Sequence, residues 1–402
     1  MHQQLRILGI VNLPWDPRLG AARVWFELSE QWAKAGHKID KFCLSDAFPK
    51  PTRLRALSVW RQAAFPYRAA RYVRRNAEKF DVIDCLIGTL PLSKKSLRFD
   101  GLLVGRSIGL YLAYDEFMRF SRRRWPDQPR GKFLGRLFYT WTSWLLRRSA
   151  GRALAHCDLF NVPNEDEKRS LEQYCSNAQT IVVPYGLNEA ERAAFAAAAQ
   201  SAPKRLTQKE ICFLGMWSVR KGSRDWPEIA RAILNSVPDA RFSFLGTMTD
   251  QQTVLRDLRV SPSKSIRCLA SYDPKELPQL IGGSVVGVFP SYIEGFGLSL
   301  LEQLASGIPT IAYDVPGPRH IFDAAGAQFL VPVGDTKAMA DRVLEILRMN
   351  EIDYGALSAK CRQIAAQFRW EQIASDSIRE YTAALARQKS RNQQREAQTA
   401  SV

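Results

Sequence analysis

Apolar residues fall into short continuous runs, separated by longer stretches in which they recur every three or four positions. A short continuous run suits a strand buried on both faces of a parallel sheet, and the wider spacing suits a helix that covers it. LRILGIVNL reads as such a strand, PWDPRLG as a Pro- and Gly-containing loop, and the next segment puts Ala21, Trp25, Leu28 and Trp32 on one helical face before Gly36 stops it. KIDKFCL resumes as a strand. FDVIDCLI, GLLVGRSIGL and CDLFNVP continue the series with polar or amphipathic stretches between them, the pattern of a doubly wound parallel sheet.

The pattern pauses at 189–209, where EAERAAFAAAAQSAPKRLTQKE is rich in Ala and polar residues, and then restarts. ICFLG, RFSFLGT, IRCLAS, SVVGVFPS, TIAYDV and FLVPV read as strands. Trp226, Ile229, Ala230 and Ile233 mark one intervening helix, Leu298 to Ser306 a second, and Met339, Val343, Ile346 and Leu347 a third led by Asp335. These signals predict an α/β protein of two Rossmann-like domains facing a cleft. The first covers 1–188, a linker 189–209 and the second 210–370. A helix over 371–387 packs back on the first domain, and the polar stretch 388–402 reads as a disordered tail.

Composition narrows the class. The chain has 402 residues, 46% hydrophobic and 24% charged, which excludes disordered and fibrous proteins. No stretch approaches the about 20 apolar residues that span a bilayer, and the N-terminus has no signal-peptide pattern, so a cytoplasmic protein is expected. Seven cysteines scattered singly read as reduced core thiols. The net charge of +17 is uneven: residues 1–150 hold 28 basic and 12 acidic side chains, whereas 151–402 are nearly balanced. Arg and Lys interleave with Phe, Trp and Tyr over 118–150, including Arg122, Arg123 and Arg124, a vocabulary suited to an anionic membrane surface. A nucleic-acid partner is not expected.

The densest chemistry lies in PSYIEGFGLSLLEQLASGIPTIAYDVPG, residues 290–317. It passes from a strand end through a Gly-rich turn into a helix, the place where open α/β sheets bind ligands. Gly295 and Gly297 let backbone N–H groups of the turn, through Phe296 and Leu298, approach an anionic or hydroxylated ligand at a helix N-terminus. Glu294 and Glu302 can flank that ligand, and a carboxylate suits a vicinal diol.

Glu294, GFGLSLL and Glu302 resemble the Glu-x7-Glu signature of retaining GT-B glycosyltransferases of family 4, the group 1 glycosyltransferases. KGSRDWPEIARAIL, IVVPYGLNEA and LGAARVWFELSEQWAKAGHKIDKF resemble further parts of that family. The resemblance implies a GT-B fold and transfer of a hexose-type sugar from a nucleotide sugar to a lipid-linked or polysaccharide acceptor, retaining and metal-independent, with no cofactor and peripheral to the inner membrane face. It places Glu294 by the donor sugar, Glu302 on the ribose, Lys221 on the leaving diphosphate and Gly20 in the acceptor-side loop. Met216 follows Gly215 where the family has arginine, so Arg220 is the substitute cation. Ile108 stands where the family often has histidine, leaving Arg106 and Ser107 as acceptor-side candidates. Asn164 and Glu167 read as a helix cap rather than part of a metal site. A nucleotide-sugar epimerase or hydrolase of the same fold, or an inactive partner subunit favoured by Met216 and Ile108, are the alternative readings.

Overall fold

The computed structural model describes residues 4–52, 54–109, 111–126, 133–175, 179–260 and 265–400. They form two compact units, each built on a six-stranded sheet in which every pairing is parallel. The first unit holds Met1–Tyr111, Asp127–Pro184 and Trp370–Val402; the second holds Leu112–Pro126 and Tyr185–Arg369.

In the first unit the strands are β1 (Arg6–Val11), β2 (Lys38–Cys43), β3 (Val82–Leu86), β4 (Leu102–Arg106), β5 (Leu159–Val162) and β6 (Gln179–Val182), in the order β2-β1-β3-β4-β5-β6. β3, β4 and β5 read as apolar runs because helices cover both faces. The helix Gly20–Lys34 buries Trp25, Leu28 and Trp32 as its spacing predicts. The C-terminal helix Trp370–Ala400 belongs to this unit, where the indole of Trp32 donates to the Ser377 hydroxyl at 3.0 Å.

The second unit runs β7 (Glu210–Leu214), β8 (Arg241–Leu245), β9 (Ile266–Leu269), β10 (Val286–Phe289), β11 (Thr310–Tyr313) and β12 (Leu330–Val331), in the order β12-β11-β10-β7-β8-β9. Strand order therefore reverses between β7 and β10, so their carboxyl ends open the crevice where such sheets take ligands. The helix Trp226–Ser236 buries Trp226, Ile229, Ala230 and Ile233, and the helix Thr336–Leu347 is capped by Asp335, whose carboxylate accepts from the Ala338 N–H at 2.9 Å.

Three expected boundaries change. The stretch 189–209 is no open linker: it contains helices Glu189–Ala198 and Ala202–Gln208 inside the second unit. Asn188 caps the first of these, Phe195 is buried, and the guanidinium of Arg205 is buried on the carbonyls of Gly282, Ser306 and Gly307. The tail expected at 388–402 is helical to Ala400, because Ala, Gln, Arg and Glu favour helix and no Gly or Pro interrupts them. Leu112–Pro126 leave the expected 1–188 domain and pack within the second unit.

All seven cysteines are free, and burial pushes the Cys212 and Cys361 thiols up to about 12, which leaves them unreactive. No helix among the described residues is long and apolar enough to cross a membrane.

Candidate active site

The reversal point of the second sheet gathers the cations and one carboxylate read from the motif. After β7 the chain turns at Gly215 and reaches a single helical turn, Val219–Lys221, ended by Gly222 in the left-handed region at φ 78°. A side chain at 222 would place its Cβ 2.3 Å from the Pro290 carbonyl oxygen, so only glycine lets this loop lie against the end of β10. That contact delivers Lys221 to Glu294, with which it forms an ion pair. Arg220 lies 3.9 Å from the same carboxylate and donates to the Ile293 carbonyl at 3.4 Å. Lys221 is 8% exposed and sits 5.0 Å over the Phe289 ring, so burial pulls its ammonium below the ordinary lysine value, Glu294 opposing and Arg220 reinforcing the shift.

The turn after β10 is braced from behind. Gly317 donates its N–H to the Glu294 carbonyl at 3.1 Å and lies so close to Phe296 that a Cβ there would meet its carbonyl oxygen at 2.3 Å. The Phe296 ring is buried among Tyr185, His320 and Phe368, so only its backbone remains for a ligand. Gly297, at φ 104°, is the N-cap of the helix Leu298–Ala305, on which Glu302 is buried. Met216 is half exposed.

The first unit treats its candidates differently. Gly20 begins the helix Gly20–Lys34 rather than lying in a loop, and a Cβ there would meet nothing within 4 Å, which leaves its backbone uncovered. Arg106 is no acceptor-side or membrane-side cation: it is 1% exposed and its guanidinium bonds Asp84 at 2.7 Å and the Tyr381 hydroxyl at 3.0 Å. Tyr381 donates to Asp84 at 2.5 Å and accepts from the Asn161 amide at 2.6 Å, and Trp25 also donates to Asp84. A buried guanidinium needs a buried carboxylate. Ser107 is likewise buried and donates to Glu167 at 2.7 Å, while the Asn164 side chain accepts from the Glu167 N–H and caps the helix Glu165–Tyr174. A cavity of about 120 Å³ opens at the carboxyl ends of β1, β3 and β4, lined among others by Asn12, Gln62, Phe65, Ile87 and Ile108.

Arg122, Arg123 and Arg124 are exposed on the helix Tyr111–Arg124, within the second unit rather than the basic first one, because Phe117, Phe120 and Trp125 bind that segment to Tyr292. Sequence reasoning missed Tyr292, although it lies two residues before Glu294. It also missed the helix Arg55–Asn76, which has six arginines and no acidic residue and exposes Leu57, Trp60 and Tyr67. The signal was present in its composition but was broken by Pro66. Among the described residues no group of three or more His, Cys, Asp or Glu side chains could hold a metal.

Known proteins resemble parts of this chain. Residues 195–368 match the family model for glycosyl transferases group 1. A phosphatidyl-myo-inositol mannosyltransferase from Mycobacterium leprae is 25% identical over 54% of this chain and 57% of its own length. A GDP-mannose:cellobiosyl-diphosphopolyprenol alpha-mannosyltransferase from Xanthomonas campestris is 25% identical over 45% and 48%. The chain thus spans about half the length of these curated relatives. A sucrose-phosphate synthase structure from Thermosynechococcus elongatus superposes with a TM-score of 0.72 at 18% identity, covering 95% of this chain and 99% of that one. Residues 195–368 thus resemble a group 1 glycosyltransferase domain, and the chain's two six-stranded parallel sheets are those of the GT-B fold.

Proposed function

We propose that the protein is a retaining, metal-independent glycosyltransferase that moves a hexose-type sugar from a nucleotide sugar to a lipid-linked or polysaccharide acceptor in cell-surface glycan synthesis. The observation that carries this reading is the buried Lys221 paired with Glu294 where the strand order of the second sheet reverses. The donor diphosphate would lie against Lys221 and the N-terminus of the helix Leu298–Ala305, with Glu302 accepting hydrogen bonds from the ribose hydroxyls. As the bond between the sugar and the diphosphate breaks, negative charge grows on the leaving oxygen and Lys221 stabilises it. The acceptor oxygen bonds to the sugar on the same face and passes its proton to the leaving phosphate, so no protein base is required. No cofactor is needed beyond the nucleotide-sugar co-substrate.

The relatives named above support a lipid-borne acceptor, since their names place mannose on phosphatidyl-inositol or on a diphosphopolyprenol. Attachment to an anionic membrane face fits the first unit. There the helix Arg55–Asn76 exposes Trp60 and Tyr67 on one stripe with Arg71 and Arg74, and the helix Phe133–His156 exposes Trp141 and Trp144, with Arg148 over the Trp144 ring.

The test begins with which labelled nucleotide sugar raises the melting temperature, because a ligand of the folded state stabilises it. Glu302→Ala is then expected to weaken binding of that nucleotide by roughly 1.5 to 3 kcal/mol, the range for hydrogen bonds to charged groups. Unchanged affinity would remove Glu302 from the site, and no stabilisation by any nucleotide sugar would overturn the transferase reading.

A further inference from the structure

The two loops that present Lys221 and Glu294 are joined through Tyr292. Its N–H donates to the Arg220 carbonyl at 2.9 Å, which ties the turn after β10 to the turn after β7. Its hydroxyl faces the carboxylate of Asp225, which accepts from the Tyr313 hydroxyl at 2.6 Å; burial and, after it, that carboxylate push the Tyr292 phenol up. Asp225 closes the loop that Lys221 opens, its N–H donating to the Gly222 carbonyl at 3.0 Å. Tyr292 is therefore tied to one end of the Lys221 loop and stands beside the other, two positions before Glu294.

Tyr292 is held in turn. Its ring lies 5.4 Å from Tyr313, 6.0 Å from Phe117, 5.7 Å from Phe120 and 5.2 Å from Trp125, the last in edge-to-face contact. A Cβ on Gly334 would lie 3.1 Å from its hydroxyl, so that side is closed as well. Phe117, Phe120 and Trp125 come from Leu112–Pro126, a segment with no place in the second sheet, which the chain supplies from between β4 and the helix Phe133–His156. Arg124, on the same segment, is close enough to Asp225 to offset part of the rise that burial imposes on its carboxyl.

We propose that Tyr292 is a positioning residue for the Lys221–Glu294 pair and that the segment from Phe117 to Trp125 is a strap that keeps it in place. The kinetic consequences rest on the transferase reading above; the structural consequence does not. Loosening the strap frees both loops together, because Tyr292 is common to them, and separates Lys221 from Glu294 without touching Glu302.

The experiment compares wild type, Tyr292→Phe, Tyr292→Ala and the double variant Phe117→Ala, Trp125→Ala in the full chain. Amide hydrogen exchange is followed over 218–225 and 290–297, with the helix Thr336–Leu347 as the internal reference. In Tyr292→Ala and in the strap variant both loops are expected to exchange about tenfold faster or more, with the reference helix unchanged. Turnover of the donor found by thermal shift is expected to fall on the order of 100-fold, as for reacting groups displaced by about 1 Å, while KM changes little. Tyr292→Phe keeps the ring packed and is expected to recover most of the protection and turnover. Exchange that speeds up in only one loop, or in neither, overturns the proposal. So does an equal loss of turnover in Tyr292→Phe and Tyr292→Ala. If wild type turns over no donor, the transferase reading fails and the exchange data alone decide whether the strap exists.

Discussion

Gly222→Ala tests the packing that creates the candidate site. At φ 78° and ψ 20° the residue is left-handed, a conformation that costs a residue with a Cβ about 1 to 2 kcal/mol. The new Cβ would also lie 2.3 Å from the Pro290 carbonyl oxygen and 2.7 Å from its Cβ and Cγ. Neither neighbour can rotate away, since one is backbone and the other a proline ring, so the end of β10 must move. Overpacking of this kind typically costs 1 to 3 kcal/mol, which makes the total about 2 to 5 kcal/mol. For a unit of this size each kcal/mol lowers Tm by roughly 2 to 4 °C, so thermal unfolding of the second unit should shift down by roughly 4 to 20 °C. Turnover should fall on the order of 100-fold, because Lys221 is displaced from Glu294. Gly355→Ala is the control: its Cβ meets nothing within 4 Å inside the helix Glu351–Ala365, and alanine should stabilise by about 0.8 to 1.0 kcal/mol. If Gly222→Ala melts within about 1 °C of wild type and keeps its turnover, the close approach does not place Lys221.

Burial lowers the Lys221 pKa, so its positive charge is lost at a lower pH than for an ordinary lysine near 10.4. Turnover should therefore fall on an alkaline limb below that range, and Lys221→Arg, if active, should lack the limb; an identical limb in both would assign it elsewhere. Arg106→Ala leaves Asp84 buried without its cation, so urea unfolding should show a loss of about 3 to 5 kcal/mol, and a loss below about 1 kcal/mol would return Arg106 to the surface. The protein should pellet with anionic liposomes, release as salt rises and ignore neutral ones. Trp60→Ser combined with Tyr67→Ser, Arg71→Ser and Arg74→Ser should abolish pelleting; undiminished attachment would move the membrane face elsewhere.

What the sequence made legible was local. Trp226, Ile229, Ala230 and Ile233 share a face because helical spacing requires it, and all four are buried. Asn164 announced its cap within three residues, and the Gly-rich turn at Gly297 lies between a strand and a helix as its composition suggested. What was not legible was decided at long range. Nothing near Arg106 reveals that Asp84 and Tyr381, 22 and 275 positions away, will bury it. Alanine-rich 189–209 looked like a linker because its partners, such as the carbonyls that hold Arg205, lie about 80 to 100 residues further on. Lys221 and Glu294 were both singled out, but their pairing depends on β7 and β10 being neighbours across the reversal in strand order.

The charge surplus of residues 1–150 shows why a count is not a surface. Arg106 is spent in the core of the first unit, where it neutralises Asp84 and projects no field. Arg119 to Arg124 ride on a segment that packs in the second unit, where Arg124 acts on the Asp225 carboxyl. What remains concentrated on one element of the first unit is the helix Arg55–Asn76, whose six arginines have no acidic residue on the same helix. There cations and exposed aromatics share a stripe: Leu57, Trp60 and Tyr67 lead into Arg71 and Arg74 at steps of three, seven, four and three residues. Isolated exposed aromatics need no explanation, but a stripe of them continuing into uncompensated arginines combines interfacial burial with attraction to anionic headgroups. The same total charge spread evenly would not favour one face of the molecule over another. It is the arrangement on this helix, rather than the +17, on which the proposed membrane attachment rests.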